Sequence, residues 1–285
     1  MNFSAIPNRK RKPRLRGGSK AKPGNLMMTS RTGQNRFSPV LPAMVLVILL
    51  HFFFSCSSTK KQGKEEEKPY IFQTTVAPDG IPLEIRFTKG ASFNYPLMAI
   101  WIEDADSNYI ATLYVAESIA KGTFDHAVPS GRKWLPGEVR RPAALPYWGH
   151  KRGIQARDGL YIPTPHNPMP DAITGPTPVS DFILQTQLPP DIPRKFRLLF
   201  EINQSWDWNE YWTNSKFPGD EDYKTSSQPA IIYEAAIDRS RLSGEIIMQP
   251  LGHSHYSGAN GNLYKNLETL TTAKEIADSI IIHFP

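Results

Sequence analysis

Residues 83–87 read LEIRF and residues 196–202 read FRLLFEI. Successive side chains of an extended chain point to opposite faces, so each stretch collects apolar side chains on one face. Charged side chains fall on the opposite face, Arg197 and Glu201 in the second stretch. This two-residue period is typical of β-strands that are buried on one face only.

Strand-like patterns recur along the second part of the chain, at residues 71–76, 97–103, 109–115, 181–188, 231–237, 244–248 and 279–284. Residues 104–108 are predicted to form a hairpin loop, and one short helix is predicted at 271–278, with Thr271 or Thr272 as its cap. The chain shows no alternation of strands with helices and no repeat. We therefore predict an all-β fold, an antiparallel immunoglobulin-like β-sandwich.

One long segment, residues 124–180, interrupts this series of strands. It contains ten prolines, and it also carries Trp134, Tyr147, Trp148 and Tyr161. Long loops in compact domains are usually functional or disordered, and disordered segments generally lack aromatic residues. The segment is therefore expected to be an ordered Pro-rich loop excursion packed on the sandwich. The more specific alternative is that a functional site lies at its edge.

The positive charge of the chain is confined to its beginning. The net charge is +6, but residues 1–39 hold ten Lys or Arg and no acid. The remaining 23 basic residues face 27 acidic ones, so the chain from Cys56 onward has a net charge of about −4. This distribution argues against a nucleic-acid partner for the folded part.

The apolar stretch at residues 43–54 is too short for a membrane span, which needs about 20 residues. With the basic residues before it, the stretch fits the hydrophobic region of a signal peptide. The sequence FFSC at residues 53–56 then resembles the lipobox of bacterial envelope lipoproteins, in the Phe-rich form of the Bacteroidetes type. Cys56, the one cysteine of the chain, is the predicted lipidation site. The alternative is an unmodified or buried cysteine.

These features divide the chain into a signal peptide at 1–55, a lipidated cysteine with a flexible tether at 56–69, and a β-sandwich domain at 70–285. Residues 1–26 are interpreted as a mis-assigned start, with a genuinely long basic leader as the alternative. The implied location is the outer membrane, with the domain on its periplasmic or cell-surface face. Glu65, Glu66 and Glu67 resemble a surface-export signal.

Several short motifs resemble the bacterial envelope family called domain of unknown function 2271. They are AIWIED at residues 99–104, ATL at 111–113, DAITG at 171–175 followed by Thr177, and the strand at 196–202. The resemblance covers residues 96–237, with Pro176 where the family has Ala. It implies a secreted or envelope-anchored immunoglobulin-like domain, and it implies no catalytic residue.

The densest aromatic run of the chain is SWDWNEYW at residues 205–212. Trp206, Trp208, Tyr211 and Trp212 could form a stacking platform for sugars, with the polar residues between them binding hydroxyl groups. The alternative is that some rings cap the core while the polar residues face water.

His253 and His255 form the best candidate for a metal site. In an extended chain a His-x-His pair places both imidazoles on one face, where they could share Zn²⁺ or Cu²⁺. The sequence assigns no third ligand, although His150 and His166 are available. Residues 104–108 begin like a calcium loop, but they lack the required Gly and Glu and are better explained as a hairpin turn.

The sequence favours a non-enzymatic envelope lipoprotein, anchored to the membrane by its lipid, whose domain binds an envelope protein or another ligand. A carbohydrate-binding or carbohydrate-processing accessory protein is the first alternative, and a metal-binding envelope protein is the second. No catalytic residue is assigned, and no cofactor is expected beyond the covalent lipid on Cys56.

Overall fold

The computed structural model describes residues 68–285, which belong to one compact unit. The predicted signal peptide, Cys56 and nearly all of the predicted tether lie outside the described residues. No helix within residues 68–285 combines the length and the apolar character that a membrane span requires.

The described chain is built mainly of strands. They are β1 Tyr70–Gln73, β2 Ile81–Lys89, β3 Leu97–Asp104, β4 Tyr109–Ala116, β5 Thr123–Ser130, β6 Lys133–Glu138, β7 Thr174–Gly175, β8 Phe182–Leu188, β9 Lys195–Asn203, β10 Ile231–Asp238, β11 Glu245–Ile247, β12 Gln249–His253 and β13 Ala277–His283. Three short α-helices accompany them: α1 Glu117–Lys121, α2 Pro146–Arg152 and α3 Glu221–Ser226. Single 3₁₀ turns lie at Asp171–Ile173, Arg239–Arg241 and Thr272–Glu275.

Two large sheets pack against each other. One has the strand order β1-β8-β2-β13-β11 and the other β12-β10-β9-β3-β4-β7, while β5 and β6 form a separate hairpin. The predicted all-β sandwich is confirmed. Its sheets are mixed, because β1 runs parallel to β8 and β7 runs parallel to β4, whereas the other described pairs are antiparallel. The immunoglobulin-like arrangement stays a prediction.

The main core lies between the two sheets. The alternating apolar residues of β2 and β9 point into it, as their two-residue period predicts. Phe87 of β2 stacks on Phe182 of β8, with ring centroids 4.8 Å apart, and on Phe200 of β9 at 5.9 Å. These stacked rings link one sheet to the other across the sandwich.

A second core covers the outer face of the six-stranded sheet. Strand β3 is buried on both faces, because Met98, Ile100 and Ile102 enter the main core while Trp101 enters the second one. Helix α2 and the preceding Ala144 and Leu145 close this second core, so the predicted packing of the long excursion on the sandwich is confirmed. Glu201, which the alternation predicts on a solvent face, is therefore fully buried.

Some elements differ from the sequence-based expectation. The loop at 104–108 is confirmed as a hairpin turn, in which the Asp104 carboxylate accepts hydrogen bonds from the backbone N–H groups of Asp106 and Asn108. The helix predicted at 271–278 is wrong, because a single 3₁₀ turn is followed directly by β13. The hairpin β5–β6, strand β12 and the three α-helices were not predicted.

Candidate functional site

Three strand ends meet at one end of the six-stranded sheet. Ile231, at the start of β10, pairs with Ile202 near the end of β9 and with His253 at the end of β12. The backbone of His253 also exchanges two hydrogen bonds with Tyr264, at 2.8 and 2.9 Å. The loops that leave β9 and β12 are thereby held side by side, although they are far apart in the sequence.

These two loops enclose a cavity of about 320 Å³. Five aromatic side chains, two histidines and four other polar residues line it: Tyr211, Trp212, Phe217, Tyr256, Tyr264, His253, His255, Lys216, Ser254, Asn266 and Thr269. A concave, mostly apolar space with a few polar groups is the usual form of a small-ligand site. The structure thus brings the aromatic run and the histidine pair, predicted separately, into one site.

The walls of the cavity are held by ring contacts. Phe217 stacks on Tyr256 with centroids 4.1 Å apart and planes within 6°, and Tyr223 meets both rings edge-on at 4.9 and 5.6 Å. Tyr223 is fully buried, and its hydroxyl donates a hydrogen bond of 2.5 Å to the carbonyl oxygen of Thr213. These contacts are all made within the chain, so the protein's own side chains hold the wall of the cavity.

The four aromatic residues singled out from the sequence do not share one environment. Trp212 is buried in the cavity wall, and its Nε1 donates to Thr269 Oγ1 at 3.2 Å. Trp206, Trp208 and Tyr211 are 57%, 51% and 53% exposed. Tyr211 lines the cavity, whereas the two exposed tryptophans precede it along the chain and are not part of the lining.

Of the polar residues between these rings, Asp207 and Asn209 are held inside by hydrogen bonds, whereas Glu210 is exposed. Asn209 Oδ1 accepts from the backbone N–H groups of Tyr211 and Trp212, and its Nδ2 donates to Gln228 Oε1 at 3.1 Å. The Asp207 carboxylate accepts from the Thr272 hydroxyl, and burial raises the pKa of Asp207. The expectation that the polar residues face water is therefore wrong for Asp207 and Asn209.

His253 and His255 occupy the same wall of the cavity. The ring of His253 lies parallel to that of Tyr264, with centroids 5.3 Å apart, and His255 packs on Tyr256 at 4.3 Å. Burial lowers the pKa of both histidines and so favours their neutral forms.

The hydrogen bonds of the histidines fix which ring nitrogen carries the proton. His253 Nδ1 lies 2.7 Å from the Ser254 carbonyl oxygen, which can only accept, so Nδ1 is protonated. His255 Nδ1 instead accepts from the Ser257 backbone N–H at 3.2 Å, which places its proton on Nε2. The pair therefore offers one acceptor, His253 Nε2, and one donor, His255 Nε2.

Within the part of the chain that the structure describes, no further His, Cys, Asp or Glu completes a metal site with His253 and His255. Among residues 68–285, no three His, Cys, Asp or Glu side chains are arranged as metal ligands. His150 stacks on Tyr161 at 4.3 Å, with Nδ1 2.8 Å from the Pro146 carbonyl oxygen, and His166 lines a different cavity. Metal binding by His253 and His255 stays a prediction.

Sequence reasoning missed several residues of the site. Phe217, Tyr256 and Tyr264 lie in loops and follow no periodic pattern. Glu201 lies behind the cavity wall, where Ser254 favours its charged form, and its carboxylate accepts from the backbone N–H groups of Tyr147 and Trp148. Burial raises the pKa of Glu201 to about 8.

Comparison with known proteins adds no relative. No family model, curated protein or solved structure matches this chain. The resemblance to the domain of unknown function 2271 family consequently stays a prediction that rests on the short motifs alone.

Proposed function

We propose that this protein is a membrane-anchored lipoprotein of the bacterial cell envelope and that its β-sandwich is a carbohydrate-binding module. The observation that carries the proposal is the aromatic cavity at the end of the six-stranded sheet. Its wall is held by ring contacts within the chain, and it adjoins the loop that exposes Trp206 and Trp208.

The chemistry of the lining suits a sugar better than a purely apolar molecule. A sugar ring has apolar C–H faces that stack on aromatic rings, and hydroxyl groups around its edge that need hydrogen-bond partners. The cavity is lined by the rings of Tyr211, Trp212 and Tyr264 beside the polar groups of Asn266 and Thr269. Tyr and Trp side chains suit such a site because each combines an apolar ring with a group that forms hydrogen bonds.

A glycan array followed by calorimetry on the full chain tests this proposal. Tyr211→Ala removes an exposed ring of the cavity, and we expect it to weaken binding about tenfold, the effect of roughly 1.4 kcal/mol. Tyr70→Ala is the matched control, because Tyr70 is 50% exposed but lies in the other sheet. If the array shows no glycan binding, or if both variants bind as the wild type does, the proposal is wrong.

The membrane anchor needs a test of its own. Cells grown with radioactive palmitate should label the wild-type protein, and Cys56→Ala should carry no label and leave the membrane fraction. An acylated cysteine anchors a protein because each buried CH₂ contributes about 0.8 kcal/mol and more than one acyl chain is attached. Label that persists in Cys56→Ala would contradict lipidation at this residue.

A further inference from the structure

We infer that the aromatic cavity selects sugars that carry an anionic substituent, a carboxylate or a sulfate, and that Lys216 is the residue that recognises it. This inference deepens the proposed function and rests on it. It depends on the sign of the charge in the cavity and on how the Lys216 ammonium group is held.

The ammonium group of Lys216 is fixed against the aromatic wall. Its Nζ lies 3.1 Å from the ring centroid of Tyr211 and 4.5 Å from that of Trp212, and it donates to the Tyr211 carbonyl oxygen at 2.9 Å. Such cation–π contacts and the hydrogen bond restrict a side chain that is otherwise flexible. An ammonium group has three N–H donors. One is used by the Tyr211 carbonyl oxygen and one points toward the Tyr211 ring, which leaves one for a ligand.

The charge of the lining has one sign. Lys216 is formally charged, and among the described residues that line the cavity there is no Asp or Glu. This contrasts with the chain from Cys56 onward, which holds 27 acidic and 23 basic residues. Asp220 interacts electrostatically with His255 but is not part of the lining. A bound anion would therefore be attracted by the Lys216 ammonium group and would not be repelled by a carboxylate in the cavity lining.

The neutral groups around Lys216 complement a sugar acid. His255 can donate through Nε2, and Asn266 and Thr269 provide further amide and hydroxyl groups. Charge-assisted hydrogen bonds from an ammonium group are roughly twice as strong as neutral ones. Lys216 is therefore expected to dominate the choice between an acidic sugar and its neutral counterpart, while the rings bind both.

Calorimetry with matched sugars on the full chain tests the inference. One pair is trigalacturonic acid and its methyl ester, which differ in charge but little in shape, and a second pair is sulfated and unsulfated lactose. We expect an acidic form to bind about tenfold or more tightly than its neutral partner, the effect of one hydrogen bond to a charged group. The pair that shows this difference identifies the substituent as carboxylate or sulfate.

Variants then assign the preference to Lys216. Lys216→Met should abolish the preference for the acidic form, and Lys216→Arg should keep it. Lys224→Met, which removes the same charge from a lysine paired with Glu221 outside the cavity, is the control and should keep the preference. Thermal unfolding of each variant shows whether it is folded.

The two proposals fail in different ways. If neutral glycans bind as tightly as acidic ones, or if the preference survives Lys216→Met, the inference about Lys216 is wrong and carbohydrate binding stands. If no glycan of either kind binds, the proposed function itself is wrong and the inference falls with it.

Discussion

Glu201 is a fully buried acid in the middle of the six-stranded sheet. Its carboxylate accepts from Trp148 N–H at 2.7 Å and from Tyr147 N–H at 3.2 Å. These bonds favour the charged form, but burial opposes it more strongly, so the pKa of Glu201 rises to about 8. Through these bonds Glu201 links the covering helix α2 to the sheet. It also lies near Ser254, which lines the cavity and favours the charged form of Glu201.

We expect Glu201 to make the protein less stable as the pH rises. Between its ordinary pKa of 4.5 and the raised value of about 8, the folded protein holds a proton that the unfolded chain releases. The free energy of unfolding therefore falls with rising pH, by at most roughly 1.4 kcal/mol per pH unit for one proton. Glu201→Gln should remove this dependence, which urea unfolding between pH 5 and pH 8.5 measures.

The comparison must be between variant and wild type at each pH. His253 and His255 have lowered pKa values, so they act in the opposite sense and make the protein more stable as the pH rises through the ordinary range of histidine. Glu201→Gln also loses one acceptor, at a cost of about 1–3 kcal/mol that does not vary with pH. Glu210→Gln, at an exposed position, is the control. An unchanged difference between variant and wild type across this range would contradict the raised pKa.

At the scale of elements, the segment from β9 to α3 differs from the expectation that the polar residues of its aromatic run face water while some of its rings cap the core. Backbone bonds join Asp207 to Ser226 and Gln228, and this bridge turns the Asp207 side chain inward. Its neighbours Trp206 and Trp208 are exposed, and Trp206 lies in a turn with a left-handed backbone, at φ 64°. The sequence identified the aromatic run, but its orientation depends on a bridge to residues about twenty positions away.

In the rest of the fold, too, features set by a local sequence pattern could be predicted, and features set by contacts between distant segments could not. Strands such as β2 and β9 were found because burial between two sheets imposes a period of two on their side chains. The hairpin β5–β6 was missed because it has almost no buried face, and Pro129 and Pro136 obscure its pattern. The cavity could not be predicted, since the pairing of β9, β10 and β12 brings its loops together.

Asn209 is expected to be the residue on which the aromatic loop most depends. Asn209→Ala removes the acceptor for Tyr211 and Trp212 and also the donors to Gln228, Thr269 and Thr271. We expect a loss of about 2–3 kcal/mol in the free energy of unfolding, because buried partners are left unsatisfied. Asn209→Ala should also weaken glycan binding, because Tyr211 and Trp212 line the cavity. Urea unfolding and calorimetry measure the two effects.

A conservative variant separates the role of Asn209 as a hydrogen-bond acceptor from its role as a donor. Asn209→Asp keeps the side-chain oxygen that accepts from the Tyr211 and Trp212 backbone but loses the amide donors. It should fall between the wild type and Asn209→Ala in both measurements. If Asn209→Ala unfolds as the wild type does, the loop is held by its ring contacts instead.

At the scale of the whole molecule, burial is distributed unevenly. Strands β3 and β9 at the centre of the six-stranded sheet are covered on both faces, by the five-stranded sheet and by the excursion around α2. The hairpin β5–β6 pairs with neither large sheet. Val128, Trp134 and Leu135 of this hairpin are each about half exposed, at 47%, 55% and 48%.

This distribution predicts a wide range of local stabilities, which native-state hydrogen exchange can measure. An isolated two-stranded hairpin is marginally stable in water, so the amides of β5 and β6 should exchange through local opening within seconds to minutes. The amides of β3 and β9 should exchange only through global unfolding and so follow the full free energy of unfolding as urea is added. The antiparallel pair β3–β4 serves as the internal reference, because it is also a hairpin but belongs to the six-stranded sheet. Equal protection of β5–β6 and β3 would mean that the hairpin is covered in solution by a second copy or by a partner, and the exposed Trp134 would then mark that interface.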